Sequence, residues 1–206
     1  MAVAAISDIP MKILLASKSP RRRQLVSQLG FDVEIVDVDV EECVPPNTPV
    51  ELIASSLALV KAKGYSRPLA DGEVLLTADT IVVHRDAVLG KPHSRQEAVE
   101  MLKSLSGDTH TVYTGVCLKN SERHVVFTER TAVVFRPLSD ETVRYYVDQG
   151  TCMDKAGAYG IQEWIGMVGV ERIEGCYYNV IGLPLSSLFK ELAMFCPGMI
   201  SEMGMA

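Results

Sequence analysis

The sequence has no long apolar run and no cysteine pattern typical of a metal site. No stretch approaches the ~18 consecutive apolar residues that a membrane-spanning helix needs. Residues 1–6 lack a basic segment, and Asp8 and Pro10 follow soon after, so a secretory signal is not expected. The five cysteines form no C-x-x-C pair, which argues against structural zinc and suits a reducing compartment. We therefore expect a cytoplasmic protein with no membrane partner.

Basic charge is also in deficit. The 206 residues carry 20 Lys and Arg against 26 Asp and Glu, which gives a net charge of −6 and a pI near 5.3. Proteins that coat nucleic acid normally carry a basic excess, so no nucleic acid is expected as a partner. The length suits one substantial domain or two small ones. Any phosphate-binding site in this chain must therefore be local.

Four common catalytic motifs are missing as well. The chain has no G-x-S-x-G, no G-x-x-x-x-G-K-[ST], no H-E-x-x-H and no G-x-G-x-x-G. The α/β hydrolases, P-loop enzymes, zinc proteases and Rossmann enzymes therefore lose their usual sequence signal.

Strand and helix patterns alternate along the first half of the chain. Residues 13–16 predict a buried strand, and the next helix begins after Ser19 as N-cap and ends at Gly30. The other predicted elements are a strand over 33–40, a helix from a capping box at 48–51 to about 63, a strand over 74–83, a helix after a capping box at 94–97, a hairpin of 110–118 and 123–135, a helix over 139–149, a strand near 168–173 and a helix over 184–195. This order predicts an α/β protein with a mixed sheet.

Three arginines stand where a helix begins. Arg21, Arg22 and Arg23 lie in the predicted first turn, and Lys18 precedes them. Cations are disfavoured at this end of a helix, because the free N–H groups and the macrodipole already make it positive. A bound polyphosphate would relieve the repulsion. The alternative is that the arginines pair with carboxylates from elsewhere in the chain.

A carboxylate interrupts an apolar strand pattern at Asp79. Burying it is costly unless it is paired, hydrogen-bonded or bound to a metal, which favours a functional site. The alternative is a turn that breaks the strand, with Asp79 as its capping residue. Lys91 follows Gly90 and suits phosphate oxygens, although a surface turn explains the pair equally well. Glu42 and Asp79 are candidate ligands for Mg²⁺, which binds one or two carboxylates together with substrate phosphates.

Seven short motifs follow one another between residues 12 and 192. They are LLASKSPRR at 14–22, LALVKA at 57–62, ADT at 78–80, GKP at 90–92, TGV at 114–116, DKAGAYGIQ at 154–162 and NVIGLP at 179–184. In this order they closely resemble the Maf family of nucleoside triphosphate pyrophosphatases. Several motifs across a whole domain are far more specific than any one of them.

The resemblance implies a fold, a reaction and a metal. The fold is a single α/β domain on a long twisted mixed sheet with flanking helices and a central cleft, similar to the inosine triphosphatase fold. The domain would span residues 11–195, with an extension at 1–10 and a tail at 196–206. The reaction is hydrolysis of a nucleoside triphosphate to the monophosphate and pyrophosphate with a divalent metal, Mg²⁺ or Mn²⁺. Members are often dimeric, which leaves a homodimer open here.

Site residues follow from matching positions. Asp79 matches the proton acceptor that activates water, and Arg21, Thr80 and Gln162 match substrate-selecting positions. Charged residues at Glu42, Lys61 and Lys91 match the lining of the triphosphate cleft. Together with the local charge pattern, this predicts phosphate binding by Ser17, Arg21, Arg22, Lys61 and Lys91, and metal binding by Glu42 and Asp79.

The segment around Gln162 predicts the substrate. It is similar to the family branch that acts on dTTP and UTP, whereas a branch acting on 7-methyl-GTP has a glutamate-containing segment there. Glu163 departs from this branch, which usually has glycine after the glutamine, and the departure bears on base preference. Two other functions stay open: a non-enzymatic nucleotide-binding regulator of cell division, and a phosphatase that releases orthophosphate.

Overall fold

One mixed sheet of seven strands organises the molecule. In the computed structural model, which describes residues 11–196, the strands are β1 (Lys12–Ala16), β2 (Asp32–Ile35), β3 (Glu73–His84), β4 (Ala87–Leu89), β5 (Thr109–Lys119), β6 (His124–Phe135) and β7 (Val170–Glu174). The order is β2-β1-β3-β5-β6-β7, and β4 pairs with β3. β1 is parallel to β2 and β3, whereas the other pairs are antiparallel. The predicted α/β class with a mixed sheet is confirmed.

Helices cover both faces of this sheet. They are α1 (Pro20–Ser27), α2 (Val50–Gly64), α3 (Arg95–Leu105), α4 (Asp140–Asp148), α5 (Trp164–Gly169), α6 (Tyr177–Ile181) and α7 (Leu185–Phe195), with short 3-10 turns at Thr151–Asp154 and Ala156–Ala158. The apolar core beneath α1 and α7 uses one face of β1 and β3, and α2 packs on the opposite face. A further core joins α3, α4 and α5 to the first half of β5 and the end of β6.

Serine residues cap three helices, two of them as predicted, and a third predicted cap is absent. The hydroxyl oxygens of Ser19, Ser94 and Ser139 each accept a backbone N–H bond from the first turn, as N-cap residues do. The capping box predicted at 48–51 is wrong, because Pro49 takes the N-cap position of α2. The Thr48 hydroxyl instead donates to the Pro45 carbonyl at 2.6 Å.

The strand predicted over 33–40 is much shorter in the structure. β2 pairs only with β1, and the register joins Leu15 to Ile35. One residue later β1 itself ends, at Ala16, and the chain turns into the loop before α1. Residues beyond Ile35 therefore have no strand beside them to continue the ladder, and residues 36–49 form an irregular segment along the cleft described below.

Helix α2 lies unusually close to the sheet. Its inner face consists of Ala54, Ala58 and Ala62, all fully buried, and the Thr77 hydroxyl donates to the Ala58 carbonyl at 2.6 Å. At Gly115 in β5 a side-chain Cβ would lie 2.1 Å from the backbone nitrogen of Ser55, so only glycine permits this approach. The close packing sets the height of α2 above the middle of β3.

The described part of the chain contains no helix long and apolar enough to cross a membrane. Residues 1–10 and 197–206 lie outside the described residues, so the predicted extension and tail, and the boundaries of the domain, stay predictions. The predicted likeness to the inosine triphosphatase fold also stays a prediction.

Candidate active site

A gap in the pairing of β3 creates the cleft. One edge of β3 pairs with β1 as far as Thr77 and with β4 from Val82 onward. Residues 78–81 therefore have no strand beside them on that edge, although their other edge pairs with β5 throughout. The gap opens at the carboxyl end of β1, where open α/β sheets typically bind ligands. It leads into a cleft of about 670 Å³.

Every site residue predicted from the sequence lines this cleft. The set comprises Ser17, Arg21, Arg22, Glu42, Lys61, Asp79, Thr80, Lys91 and Gln162. Asp79 lies inside the continuous strand β3, so the alternative of a turn at this position is wrong. Their common location is a structural fact, and the role of each residue stays a prediction.

Asp79 faces helix α2 and pairs with it. Side chains alternate between the faces of a strand, which puts Asp79 and Thr80 on opposite faces of β3. The Lys61 ammonium lies 2.5 Å from Oδ1 of Asp79 and 3.1 Å from a carboxylate oxygen of Glu42. The side chains of Lys61 and Asp79 are only 15% and 16% exposed, whereas Glu42 is about half exposed. One lysine thus holds two carboxylates at the cleft wall.

The Arg22 guanidinium fills part of the gap beside β3. It donates to the carbonyl oxygens of Gly182 at 2.8 Å and Ala78 at 2.9 Å, and to the Thr80 hydroxyl at 2.8 Å. The Ala78 carbonyl is one that the missing strand would otherwise have engaged. Burial lowers the pKa of Arg22 below its ordinary value. Three of the five guanidinium N–H donors are used in these bonds, which leaves two for a ligand.

A relay of hydroxyl groups fixes Thr80. Thr114 Oγ1 lies 3.1 Å from the carbonyl oxygen of Asn179, which can only accept, so the Thr114 hydroxyl donates there. Thr80 Oγ1 lies 2.9 Å from Thr114 Oγ1 and therefore donates to it, while accepting from Arg22. The Thr80 hydroxyl is thus oriented by the wall of the cleft.

Arg21 takes a different partner. It pairs with the Asp154 carboxylate at 2.9 Å, as the alternative drawn from the sequence proposed for an arginine of this group. The other oxygen of Asp154 accepts from Lys155 at 2.6 Å, and Lys155 also lies 2.7 Å from Glu163. Partial burial opposes ionisation of Asp154, but hydrogen bonds from Lys155 and Arg21 outweigh it and lower the pKa of that carboxyl.

Other cations at the cleft are exposed. Lys18 and Lys91 form no ion pair within residues 11–196, and both line the cleft. Ser17 is nearly buried, and its hydroxyl oxygen accepts the Ser19 backbone N–H at 3.2 Å, which leaves its own proton free to be donated. The lining of the cleft therefore includes the exposed ammonium groups of Lys18 and Lys91, and it also includes carboxylates such as Asp37 and Asp39.

Sequence reasoning missed several residues of the site. Asp154 and Lys155 stand in the DKAGAYGIQ motif and Thr114 in the TGV motif, yet none was assigned a role. Tyr146 lies outside every motif, although its hydroxyl donates to Glu163. The one sequence signal for Asp154 and Lys155 was that they share a motif with Gln162. Their connection to Arg21, 133 residues away, is decided by packing.

Two carboxylates are available to a divalent cation. Residues 11–196 contain no group of three or more His, Cys, Asp or Glu side chains poised around a metal. Glu42 and Asp79 share the Lys61 ammonium, and both line the cleft. Magnesium typically uses one or two protein carboxylates and completes its shell with water and substrate phosphates. The pair therefore fits a cation that arrives with a triphosphate.

Comparison with known proteins agrees with the geometry. A family model described as Maf-like protein matches residues 12–195. The chain is 49% identical over 185 residues to a dTTP/UTP pyrophosphatase of Parabacteroides distasonis, covering 89% of this chain and 96% of that protein. It is 50% identical over 182 residues to a dTTP/UTP pyrophosphatase of Bacteroides thetaiotaomicron, covering 88% and 94%. A protein of the same name from Flavobacterium johnsoniae is 45% identical over 181 residues, covering 88% and 93%. With a match across nearly all of the described residues and this level of identity, the chain belongs to the Maf family.

Proposed function

We propose that this chain hydrolyses dTTP and UTP to the nucleoside monophosphate and pyrophosphate. One observation carries the proposal: a single cleft holds the Asp79 carboxylate among Lys61, Arg21, Arg22 and Lys91, in a chain about half identical to proteins named dTTP/UTP pyrophosphatase. Several cations at one cleft suit a triphosphate, and a carboxylate beside them suits proton abstraction from water.

Asp79 is the proposed general base. A water molecule attacks the α-phosphorus, its proton passes to Asp79, and the bond between the α-phosphorus and the α,β-bridging oxygen breaks to release pyrophosphate. The Lys61 ammonium contacts only Oδ1 of Asp79, so Oδ2 remains available to accept the proton. Because Lys61 is anchored on α2, it also fixes the orientation of the carboxylate.

The triphosphate is held by the basic loop. We assign Lys18, Arg21 and Lys91 to the phosphate oxygens, because each lies at the cleft and two of them form no ion pair in the part of the chain that the structure describes. Arg22 contributes its two remaining N–H groups, and Ser17 its hydroxyl. The charge that develops on the leaving pyrophosphate is stabilised by these cations.

Glu42 and Asp79 are the proposed ligands of a divalent cation. When bound, Mg²⁺ or Mn²⁺ would neutralise phosphate charge and polarise the α-phosphoryl group.

Gln162 is the proposed reader of the base. Its amide has one acceptor and two donors, which match the N3–H and O4 of uracil and thymine. Thr80 acts in this scheme by holding Arg22 rather than by touching the base, since its hydroxyl is already bonded on both sides. The proposal includes a cytoplasmic location and no nucleic-acid partner. It makes no assumption about homodimerisation.

The test is Asp79→Asn, assayed for pyrophosphate and orthophosphate release from dTTP, UTP, CTP, GTP and 7-methyl-GTP with Mg²⁺ or Mn²⁺. We expect pyrophosphate from dTTP and UTP, a fall in kcat of about 10²–10⁴-fold in the variant, and an unchanged circular dichroism spectrum. Asp71→Asn, on the exposed turn before β3, is the matched control and should keep full activity.

Each other result points to a different function. Turnover of 7-methyl-GTP would contradict the role of Gln162. Orthophosphate as the product would indicate a phosphatase. Tight binding without any turnover would favour the non-enzymatic regulator, and a fully active Asp79→Asn would remove Asp79 from the reaction.

A further inference from the structure

The carboxylate of Glu163, which itself lines the cleft, joins three separate segments of the chain. One oxygen lies 2.7 Å from the Lys155 ammonium. The other accepts from the Thr151 hydroxyl at 2.9 Å and from the Tyr146 hydroxyl. Tyr146 belongs to α4 and Thr151 to the turn after it, so a single side chain ties both to the residue that follows Gln162.

Lys155 carries this connection onward to Arg21. Only 8% of Lys155 is exposed, and its ammonium contacts Asp154 as well as Glu163. Asp154 in turn holds Arg21. The result is a row of alternating charges, Glu163, Lys155, Asp154 and Arg21. A buried cation costs free energy unless it is paired. Removal of the Glu163 carboxylate therefore changes the interaction of Lys155 with Asp154.

The backbone beside Glu163 is packed too tightly to move alone. At Gly160 a Cβ would lie 2.9 Å from Cε of Lys155 and 3.0 Å from Cδ of Glu163. At Gly166 it would lie 2.0 Å from the Ile161 carbonyl oxygen. The Glu163 N–H closes the turn onto the Gly160 carbonyl at 3.0 Å. Gln162 stands at this turn as an exposed side chain that lines the cleft.

We propose that Glu163 is a specificity-positioning residue, which fixes the turn that presents Gln162 and, through Lys155 and Asp154, the guanidinium of Arg21. The inference rests on the proposed function. One carboxylate thereby positions both Gln162, the proposed reader of the base, and Arg21, a proposed ligand of the phosphates.

The chemistry of the base shows what this positioning achieves. Uracil presents an N3–H donor and an O4 acceptor, whereas cytosine presents an N3 acceptor and an N4 amino donor. A glutamine amide satisfies either pattern by rotating half a turn, so the amide alone cannot discriminate between them. Discrimination requires that the turn and its neighbours hold the amide in one orientation. The loss of Glu163 should therefore relax the choice between UTP and CTP.

The experiment compares Glu163→Gln, Glu163→Gly and Tyr146→Phe with the unaltered protein, using Glu171→Gln on exposed β7 as the matched control. For Glu163→Gln we expect KM for UTP to rise about tenfold, kcat to change less than about threefold, and the UTP-to-CTP ratio of kcat/KM to fall at least about fivefold. Tyr146→Phe, which keeps the Lys155 pair, should show a smaller change in the same direction.

A double-mutant cycle tests the connection to Arg21. If Glu163 acts through Asp154 on Arg21, Glu163→Gln should have much less effect on KM in an Arg21→Ala background than alone. The proposal would be overturned if the effects of the two substitutions on KM were additive and a folded Glu163→Gln kept the wild-type UTP-to-CTP ratio. Pyrophosphate release by the wild type would still support the proposed function in that case.

Trp164 gives a readout that needs no turnover. It is the sole tryptophan, follows Glu163 directly and contacts the Tyr145 ring at a centroid distance of 4.8 Å. Its emission should therefore follow titration with the non-hydrolysable α,β-imido analogues of UTP and CTP, which differ only in the base. Weaker binding of the UTP analogue and a smaller preference over the CTP analogue in Glu163→Gln would support the positioning role even if the wild type released no pyrophosphate. Equal affinities in both proteins, or no binding by either, would overturn it.

Discussion

The Arg22 side chain shows how one residue serves both fold and site. Its guanidinium replaces a missing strand at the Ala78 carbonyl and also orients Thr80. We predict that Arg22→Lys lowers the free energy of unfolding by about 2 kcal/mol or more, since an ammonium on a flexible stem cannot reproduce the planar set of three bonds. Urea denaturation measures the loss, and kcat/KM for UTP should fall in parallel.

Arg23→Lys is the matched control for this prediction. Arg23 is the exposed neighbour, bonded to the Ser17 carbonyl at 3.3 Å, and its replacement should change stability by less than about 0.5 kcal/mol. Equal stabilities of the two variants would show that the Arg22 bonds contribute nothing specific.

A buried histidine gives the fold a dependence on pH. His110 bonds the Tyr159 hydroxyl at 2.7 Å, and its Nδ1 has no partner among the described residues. Burial lowers the pKa of His110 from 6.5 to about 4; the nearby His84 adds to the shift and Asp108 opposes it. Between these two values the unfolded chain binds a proton that the folded chain does not, so stability falls as the pH falls.

From pH 7 to pH 5 this residue should cost about 2 kcal/mol of unfolding free energy. Urea titrations at both values measure the change, and His110→Gln, which retains a polar partner for Tyr159, should show a smaller loss. A variant with the same pH dependence as the wild type would assign the effect to other groups.

At the scale of elements, the position of α2 depends on one missing side chain. A Cβ at Gly115 would lie 2.1 Å from the Ser55 nitrogen, and backbone cannot yield as a flexible side chain can. Gly115 is opposite Asp79 in the sheet register, and α2 carries Lys61. We predict that Gly115→Ala lowers stability by about 1–3 kcal/mol and lowers kcat, because α2 must move away from Asp79.

Gly90→Ala separates this effect from the general cost of replacing glycine. A Cβ at Gly90 meets nothing within 4 Å, so thermal denaturation should show little change there. If Gly115→Ala kept both wild-type stability and wild-type kcat, the height of α2 would not matter to the site.

At the scale of the whole molecule, the proposed function requires an acidic protein to bind a highly charged anion through a local set of cations. A ligand that binds only the folded state raises its stability by about 2.7 kcal/mol at a concentration of 100 Kd. We predict that the α,β-imido analogue of dUTP with Mg²⁺ raises Tm by about 5–10 °C under that condition. The gain should shrink as salt screens the exposed cations.

Differential scanning fluorimetry measures this shift, with Asp71→Asn as a control that should respond like the wild type. A Tm that is insensitive to the analogue at every concentration would contradict the proposed ligand class.

Local features of the fold were predictable because they depend on neighbours in sequence. Ser19 and Ser94 each cap a helix by accepting the N–H of the residue three positions later, and the hairpin of β5 and β6 turns where Asn120 accepts N–H bonds from Glu122 and Arg123. The same kind of reasoning failed at Thr48, where proline at the next position changed the start of α2.

The sequence by itself determined the α/β class, through its apolar periods, and nine of the residues that line the cleft, through motifs that carry a family resemblance. Only the tertiary structure decided that β3 has an unpaired edge, that Lys61 rather than solvent meets Asp79, and that Glu163 reaches Arg21 through Lys155 and Asp154. These contacts join residues far apart in the chain, and they depend on strand register and on how closely α2 packs. No local pattern encodes either quantity, because both follow from the simultaneous packing of the whole core.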